Sequence, residues 1–248
     1  MEEIVRSADG AYTARKFRDN IWVIQDQSGP KSYAYLLLGS GKTILIDSGM
    51  NKEADLPAFI RTLSGKEVDV LLLTHGDADH IGAAGKFPCI CAFAGELDHC
   101  GNKGLKAPVQ PLWEHEIIDG GDIRLEVIFL PGHTPGGAGY LDQQNGLLFI
   151  GDALMAEPLI AAGMGRNLRA WEASFRKLEK LAAEGEFEMV MPGHATCPFV
   201  PDSISDFAEL AEEITAGTAQ PVPDVAPKLR SVDRPVRLYR KGSAEIIC

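Results

Sequence analysis

Residues 68–82, VDVLLLTHGDADHIG, decide the fold, because an apolar run leads directly into a loop rich in histidine and aspartate. The run VDVLLL predicts a strand that is buried on both faces of a sheet. The loop after it carries four candidate metal ligands within six residues, namely His75, Asp77, Asp79 and His80. Imidazole and carboxylate groups are suitable ligands for zinc, iron or manganese. The stretch therefore predicts a metal site at the end of a buried strand.

Three further polar motifs follow predicted strands, and each holds one more candidate ligand. His133 stands in PGHTPG, Asp152 follows the apolar run LLFI, and His194 stands in PGH after the run FEMVM. Glycine beside each ligand lets the backbone and a metal ion approach closely. A single histidine or aspartate after a strand is usually an ordinary turn residue. Seven ligand-type side chains at the ends of four strands instead predict one shared site.

The rest of the chain reads as two groups of strands, each followed by a helix. An antiparallel meander is predicted at 21–24, 33–38 and 43–46. Helices are predicted at 53–64 and 170–184, and a further strand pair at 89–94 and 117–118. Two facing sheets with helices outside them would bury this pattern. We therefore expect an α/β protein, and residues 1–248 are predicted to form one domain. That domain would end in a helix at about 203–215, capped by Ser203, and a hairpin at about 235–247.

Composition limits the partners and the compartment. The chain has 35 acidic and 24 basic residues, a net charge of −11, which disfavours nucleic acid and anionic membranes as partners. A small-molecule substrate is expected, and a homodimer is an open possibility for a chain of this size. The N-terminal residues show no signal peptide, and five cysteines give no disulfide pattern, so a cytoplasmic location is expected.

The sequence resembles the metallo-β-lactamase superfamily in five short motifs. They are IDSG at 46–49, THGDADHIG at 74–82, LPGHTPGG at 130–137, LFIGDAL at 148–154 and MPGHA at 191–195. The resemblance implies a four-layer αββα sandwich of two mixed β-sheets, with a two-metal site at one edge of the sheets. Together these motifs are specific for the fold, but they do not identify a substrate.

The resemblance also implies a role for each candidate residue. His75, Asp77 and His133 would hold the first metal ion, and Asp152 would bridge it to the second. The second ion would be held by the remaining three ligands, Asp79, His80 and His194. Asp79 would also orient the attacking water as a catalytic residue, and Asp47 of IDSG would support the site without binding metal. Two divalent ions are expected, with zinc favoured and iron or manganese as alternatives.

Asp77 departs from the family pattern, which has a histidine at this place. A carboxylate can still coordinate, but it leaves a less positive centre, a weaker Lewis acid that favours harder ions. The alternative is that Asp77 turns away, so that only one ion binds well. We favour coordination.

The expected activity is hydrolysis of an ester, thioester or lactone by attack of a metal-bound hydroxide. An iron-dependent redox enzyme of the flavodiiron or sulfur dioxygenase kind is the alternative on the same fold. Nucleic-acid processing and a non-catalytic binding module are less favoured, because the charge is acidic and the ligand set is nearly full. Loops at 95–116 and 155–169 offer Trp113 and Arg166 as substrate-binding candidates, while His99 and His115 are expected to be surface histidines rather than ligands.

Overall fold

The computed structural model describes residues 4–200, 204–223, 225, 227–229 and 232–248. Two β-sheets face each other and helices cover their outer faces, which confirms the predicted αββα sandwich. Ser203, the predicted cap of the last helix, lies outside the described residues. Among the described residues, no helix is both long enough and apolar enough to cross a membrane.

The first sheet has eight strands in chain order, and its second half is parallel. Its strands are β1 (Ile4–Arg6), β2 (Tyr12–Arg18), β3 (Ile21–Asp26), β4 (Tyr33–Leu38), β5 (Thr43–Ile46), β6 (Val70–Leu73), β7 (Ile90–Phe93) and β8 (Gln110–Leu112). Strands β1 to β5 form the antiparallel meander.

The second sheet has five strands in the order β14-β12-β11-β10-β9. These strands are β9 (Ile117–Asp119), β10 (Arg124–Phe129), β11 (Ala138–Asp142), β12 (Leu147–Gly151) and β14 (Met189–Pro192). A small third sheet joins β13 (Leu159–Ile160) to the C-terminal hairpin of β15 (Leu238–Lys241) and β16 (Ala244–Ile247). The hairpin therefore holds the chain segment that follows β12.

Three apolar cores separate the layers. The central core lies between the two sheets, where the Tyr35 and Phe149 rings meet edge-to-face with centroids 5.1 Å apart. Helices α1 (Leu56–Ser64) and α2 (Leu97–Asn102) cover the first sheet. Helices α3 (Leu168–Ala183) and α4 (Ile204–Ala216) cover the second.

Side-chain caps explain where two of the helices begin. Asp55 accepts a hydrogen bond from the Ala58 amide at the start of α1, and Asn167 does the same for Ala170 in α3. Gly65 closes α1 in the left-handed conformation, with φ of 69°.

One predicted pairing is wrong. Strands β7 and β9 do not pair with each other, because β7 lies between β6 and β8 in the first sheet while β9 pairs with β10 in the second. Both are short and apolar, and such a pattern contains no information about which sheet a strand enters.

Candidate metal centre

The candidate ligands meet at one edge of the sandwich, because strands that run in one direction end there. In the second sheet, β10 and β12 are both antiparallel to β11, and β14 is parallel to β12. The segments after these strands carry His133, Asp152 and His194, while the His75–His80 loop follows β6 of the facing sheet. All seven predicted ligands are thus brought together.

Two groups of ligand atoms form around Asp152. One group holds His75, His133 and Asp152, and the other holds Asp79, His80 and His194; the atoms of each group lie within 4.8 Å of one another. Asp152 Oδ2 is 3.5 Å from His133 Nε2 and 3.5 Å from His194 Nε2, while its Oδ1 is 3.4 Å from His80 Nε2. Asp152 therefore faces both groups, as a bridging ligand must.

The spacing of these atoms fits a metal ion. Zinc bonds of 2.0–2.2 Å in a tetrahedral arrangement place neighbouring ligand atoms about 3.3–3.6 Å apart. His194 Nε2 lies 3.2 Å from His80 Nε2 and 3.2 Å from Asp79 Oδ2. Two imidazole nitrogens facing each other at this distance are readily explained by one shared cation.

Unsatisfied buried atoms support the same fit. His75 Nε2, His133 Nε2 and Asp152 Oδ1 are buried and have no hydrogen-bond partner. A buried polar atom without a partner is costly, so such groups are normally satisfied by protein, water or an ion. A metal ion would satisfy all three, which makes this donor set suitable for one.

Asp47 lies beside two of the histidines, and with His75 and His80 it forms a third group of ligand-type atoms within 4.8 Å of one another. Its carboxylate accepts hydrogen bonds from Thr74 N at 2.8 Å and Thr74 Oγ1 at 2.7 Å, and it lies 2.8 Å from His80 Nδ1. Thr74 Oγ1 in turn lies 3.0 Å from His75 Nδ1. Because the Thr74 hydroxyl donates its hydrogen bond to Asp47, it accepts a hydrogen bond from His75 Nδ1–H. His75 then presents an unprotonated Nε2 to the site, and the contact with Asp47 fixes the orientation of the His80 ring.

The carboxylates stay ionised although they are largely buried. Burial raises the pKa of Asp79, but the hydrogen bond with His194 and the charge of His80 outweigh it and lower the pKa to about 2. Burial also works against ionised Asp152, and the surrounding imidazoles hold its pKa well below the ordinary value. Burial lowers the pKa of His75 well below its usual range, which keeps that ring neutral. Ionised carboxylates and neutral imidazole are the forms that bind metal.

Glycine is required beside two of the ligands. A Cβ on Gly193 would stand 2.2 Å from Asp152 Oδ1 and 2.7 Å from His80 Cε1. Gly151 has a φ of 55°, and a Cβ there would stand 2.3 Å from Thr74 Oγ1. The ligand loops can approach each other only because these side chains are absent.

Glu96, a residue that sequence reasoning missed, ties two ligand loops together. Its side chain is fully buried, and its two oxygens accept the amide hydrogens of Gly76 and Gly136, each at 2.8 Å. Gly76 lies between two candidate ligands, and Gly136 belongs to the PGHTPG loop. A lone acid in a polar loop gives no sequence signal for this role, since the two amides come from distant segments.

Asp77 points toward the first ligand group but also pairs with cationic side chains. Its Oδ2 is 3.3 Å from His133 Nε2 and 3.9 Å from His75 Nε2, and Arg166 Nη2 donates to the same oxygen at 2.7 Å. His99 Nε2 lies 2.8 Å from Asp77 Oδ1. His99 is 20% exposed and lies outside the ligand groups, so the expectation that it is a surface histidine rather than a ligand is not contradicted, but it contacts Asp77. The polar loop around His99 gives no sequence signal for this partner, because Asp77 comes from a distant segment.

A cavity of about 580 Å³ opens beside the ligands. Met155, Leu159, Ile160 and Ala162 supply apolar parts of its wall, and Lys31 and Arg166 supply positive charge. Arg166 thus lines the cavity, although its guanidinium already pairs with Asp77, and its role in substrate binding stays a prediction. Trp113 is 61% exposed and is not among the residues that line this cavity. His115 is exposed, as expected, and its Nδ1 lies 2.7 Å from Glu126 Oε1.

Several curated proteins are similar to this chain in sequence. The hydroxyacylglutathione hydrolase of Anaeromyxobacter dehalogenans is 30% identical over 234 residues, which cover 88% of this chain and 87% of that protein. The hydroxyacylglutathione hydrolase of Aeromonas hydrophila is 28% identical over 172 residues, 66% of this chain but only 61% of that protein's length. The acyl-coenzyme A thioesterase MBLAC2 of Gallus gallus is 23% identical over 205 residues, 68% of this chain and 74% of that protein.

Solved structures show the same fold at low identity. A metallo-β-lactamase from Pontibacter korlensis superposes with a TM-score of 0.69 at 19% identity, over 86% of this chain and 99% of that one. A metallo-β-lactamase from Erythrobacter litoralis superposes with a TM-score of 0.66 at 18% identity, over 85% of this chain and 100% of that one. The family model named "Metallo-beta-lactamase superfamily" matches residues 29–194, which contain every candidate ligand. The chain therefore belongs to the metallo-β-lactamase superfamily.

Proposed function

We propose that this protein is a metal-dependent hydrolase of carboxylic esters in the broad sense, with thioesters as the first choice and oxygen esters and lactones as the alternatives. The observation that carries the proposal is the set of buried, unsatisfied atoms on His75, His133 and Asp152 beside an open cavity. The relatives named as hydroxyacylglutathione hydrolase and acyl-coenzyme A thioesterase support the thioester choice.

The proposed centre holds two divalent ions. His75, His133 and Asp77 would hold the first, Asp79, His80 and His194 the second, and Asp152 both. A metal pair of this kind lowers the pKa of bound water and polarises a carbonyl oxygen. Zinc suits the imidazole and carboxylate donors, and iron or manganese is the alternative that the additional carboxylate favours.

The protein's own residues would position and select the substrate. Asp79 is ionised and lines the cavity, so it can accept a hydrogen bond from a water molecule and orient that water. The apolar wall around Leu159 and Ile160 would pack against an acyl group and exclude water from it. In the described part of the chain Lys31 forms no ion pair, and its charge is available to an anionic substrate group.

The test is hydrolysis by protein of known metal content. Zinc-loaded wild type is assayed with an S-acyl glutathione, an acyl-coenzyme A, an aryl ester and a γ-lactone. His133→Ala is expected to lose activity by about a hundredfold or more, the cost of removing a metal ligand or its support. His115→Ala is the matched control, because this exposed histidine is outside the ligand groups, and it should behave as wild type.

Two results would contradict the proposal. One is a protein that holds two ions per chain but hydrolyses none of these substrates. The other is iron in stoichiometric amount together with oxygen uptake, which would favour the redox class.

A further inference from the structure

The Asp77 carboxylate is surrounded by positive charge from two parts of the chain. Arg166, in the segment between β13 and α3, donates to Oδ2 at 2.7 Å. Lys103, directly after α2, places Nζ 3.3 Å from Oδ1, and His99 of α2 lies 2.8 Å from the same oxygen. Both oxygens of Asp77 are therefore engaged before any metal ion approaches.

The second ligand group differs in this respect. Asp79 pairs with His80 and His194, and Asp152, which faces both groups, pairs with His80, His133 and His194. Within the ranges that the structure describes, no lysine or arginine forms an ion pair with either carboxylate. Asp77, which points toward the first group, is instead a carboxylate that a metal ion would have to share with Arg166 and Lys103.

Arg166 also links the first group internally. Its Nη1 donates to the main-chain carbonyl of His133 while its Nη2 donates to Asp77. The guanidinium is 15% exposed and is held at both ends, so it cannot easily move away when an ion arrives. A cation fixed at a ligand oxygen weakens that oxygen as a donor and repels a second cation.

We propose that Arg166 competes with the metal ion for Asp77, so that the first metal position binds its ion more weakly than the second and fills after it. The additional negative charge of Asp77, relative to a histidine, is offset inside the protein by Arg166 and Lys103. This inference rests on the proposed function, because it assumes that both groups bind metal.

The test is a zinc titration of the full-length, metal-free protein, followed by calorimetry and by competition with a chromophoric chelator. Wild type is expected to bind two ions with dissociation constants that differ by about tenfold or more, the change that one hydrogen bond to a charged group corresponds to. Arg166→Gln removes the charge, and it should tighten the weaker event by about tenfold and leave the stronger event unchanged.

Two variants separate the charge of Arg166 from its other roles. Arg166→Lys keeps a positive charge and should retain the weak event. Arg169→Gln is the matched control, since Arg169 is exposed in α3 and has no contact with Asp77. Asp77→Asn should weaken the first position further and leave the second unchanged.

Melting temperatures guard against a folding artefact. Metal-free Arg166→Gln should melt below wild type, because Asp77 loses its main partner, but saturating zinc should raise its melting temperature by more than it raises that of wild type. Equal affinities of the two positions in wild type, or an Arg166→Gln variant in which both events weaken, would overturn the inference. These results differ from failure of the proposed function, in which wild type takes up no zinc or hydrolyses nothing.

Discussion

Replacing Glu96 by glutamine tests whether one buried carboxylate holds two ligand loops together. Glu96 is fully buried and accepts one backbone amide on each oxygen, both at 2.8 Å. Glutamine keeps one acceptor but presents an NH₂ donor to the other amide. One buried amide then loses its partner, which costs about 1–3 kcal/mol, and the remaining bond loses the strength that charge gives it. The expected destabilisation is about 2–4 kcal/mol.

Thermal unfolding in the presence of a chelator measures this cost without a contribution from bound metal. For a chain of this length, each kcal/mol corresponds to about 2–4 °C, so the melting temperature of Glu96→Gln should fall by roughly 5–15 °C. Glu53→Gln is the control, since Glu53 is exposed and its carboxylate makes no ion pair among the described residues. Glu96→Gln, unlike the control, should also bind zinc more weakly than wild type. A Glu96→Gln protein that melts with wild type would refute the role assigned to Glu96.

Three further changes give distinct outcomes. Gly193→Ala places a Cβ 2.2 Å from Asp152 Oδ1, so the zinc content measured by elemental analysis should fall below half of the wild-type value. Gly85→Ala is the control, because its Cβ enters open space and should leave the zinc content unchanged. Burial raises the pKa of Asp77, but the His133 imidazole 3.3 Å away and the Arg166 guanidinium outweigh it and lower that pKa. Ionised Asp77 therefore stabilises the metal-free fold above its unfolded pKa of about 4, and this stabilisation is lost as the pH falls. Between about pH 5 and pH 3, the urea midpoint of Asp77→Asn should therefore change less than that of wild type. Lys31→Ala should raise KM for an acyl-coenzyme A by about three- to tenfold, with kcat unchanged and no change for an uncharged thioester.

The sequence predicted the architecture because its strongest signals are local. The apolar run before His75 and the run LLFI before Asp152 both form buried strands, and the glycines beside the ligands are sterically required. The sandwich is confirmed, and the seven side chains do converge. Their role as metal ligands stays a prediction.

Other features escaped the sequence because they depend on pairs of residues that are distant in the chain. Glu96 becomes a buried anchor only when Gly76 and Gly136 approach it, and His99 meets Asp77 only through the packing of α2. The sequence offered two alternatives for Asp77, coordination of the first metal ion or a side chain turned away from it, and the structure matches neither one alone. Its carboxylate faces the first ligand group and pairs with Arg166 at the same time.

Anomalous diffraction at the zinc edge, from crystals grown with zinc, tests the central claim most directly. We expect two peaks, one among His75, His133 and Asp152 and the other among Asp79, His80 and His194, with the first peak weaker at limiting zinc. Crystals soaked in zinc that show no peak at these residues, or a peak elsewhere only, would contradict the metal centre and the function built on it.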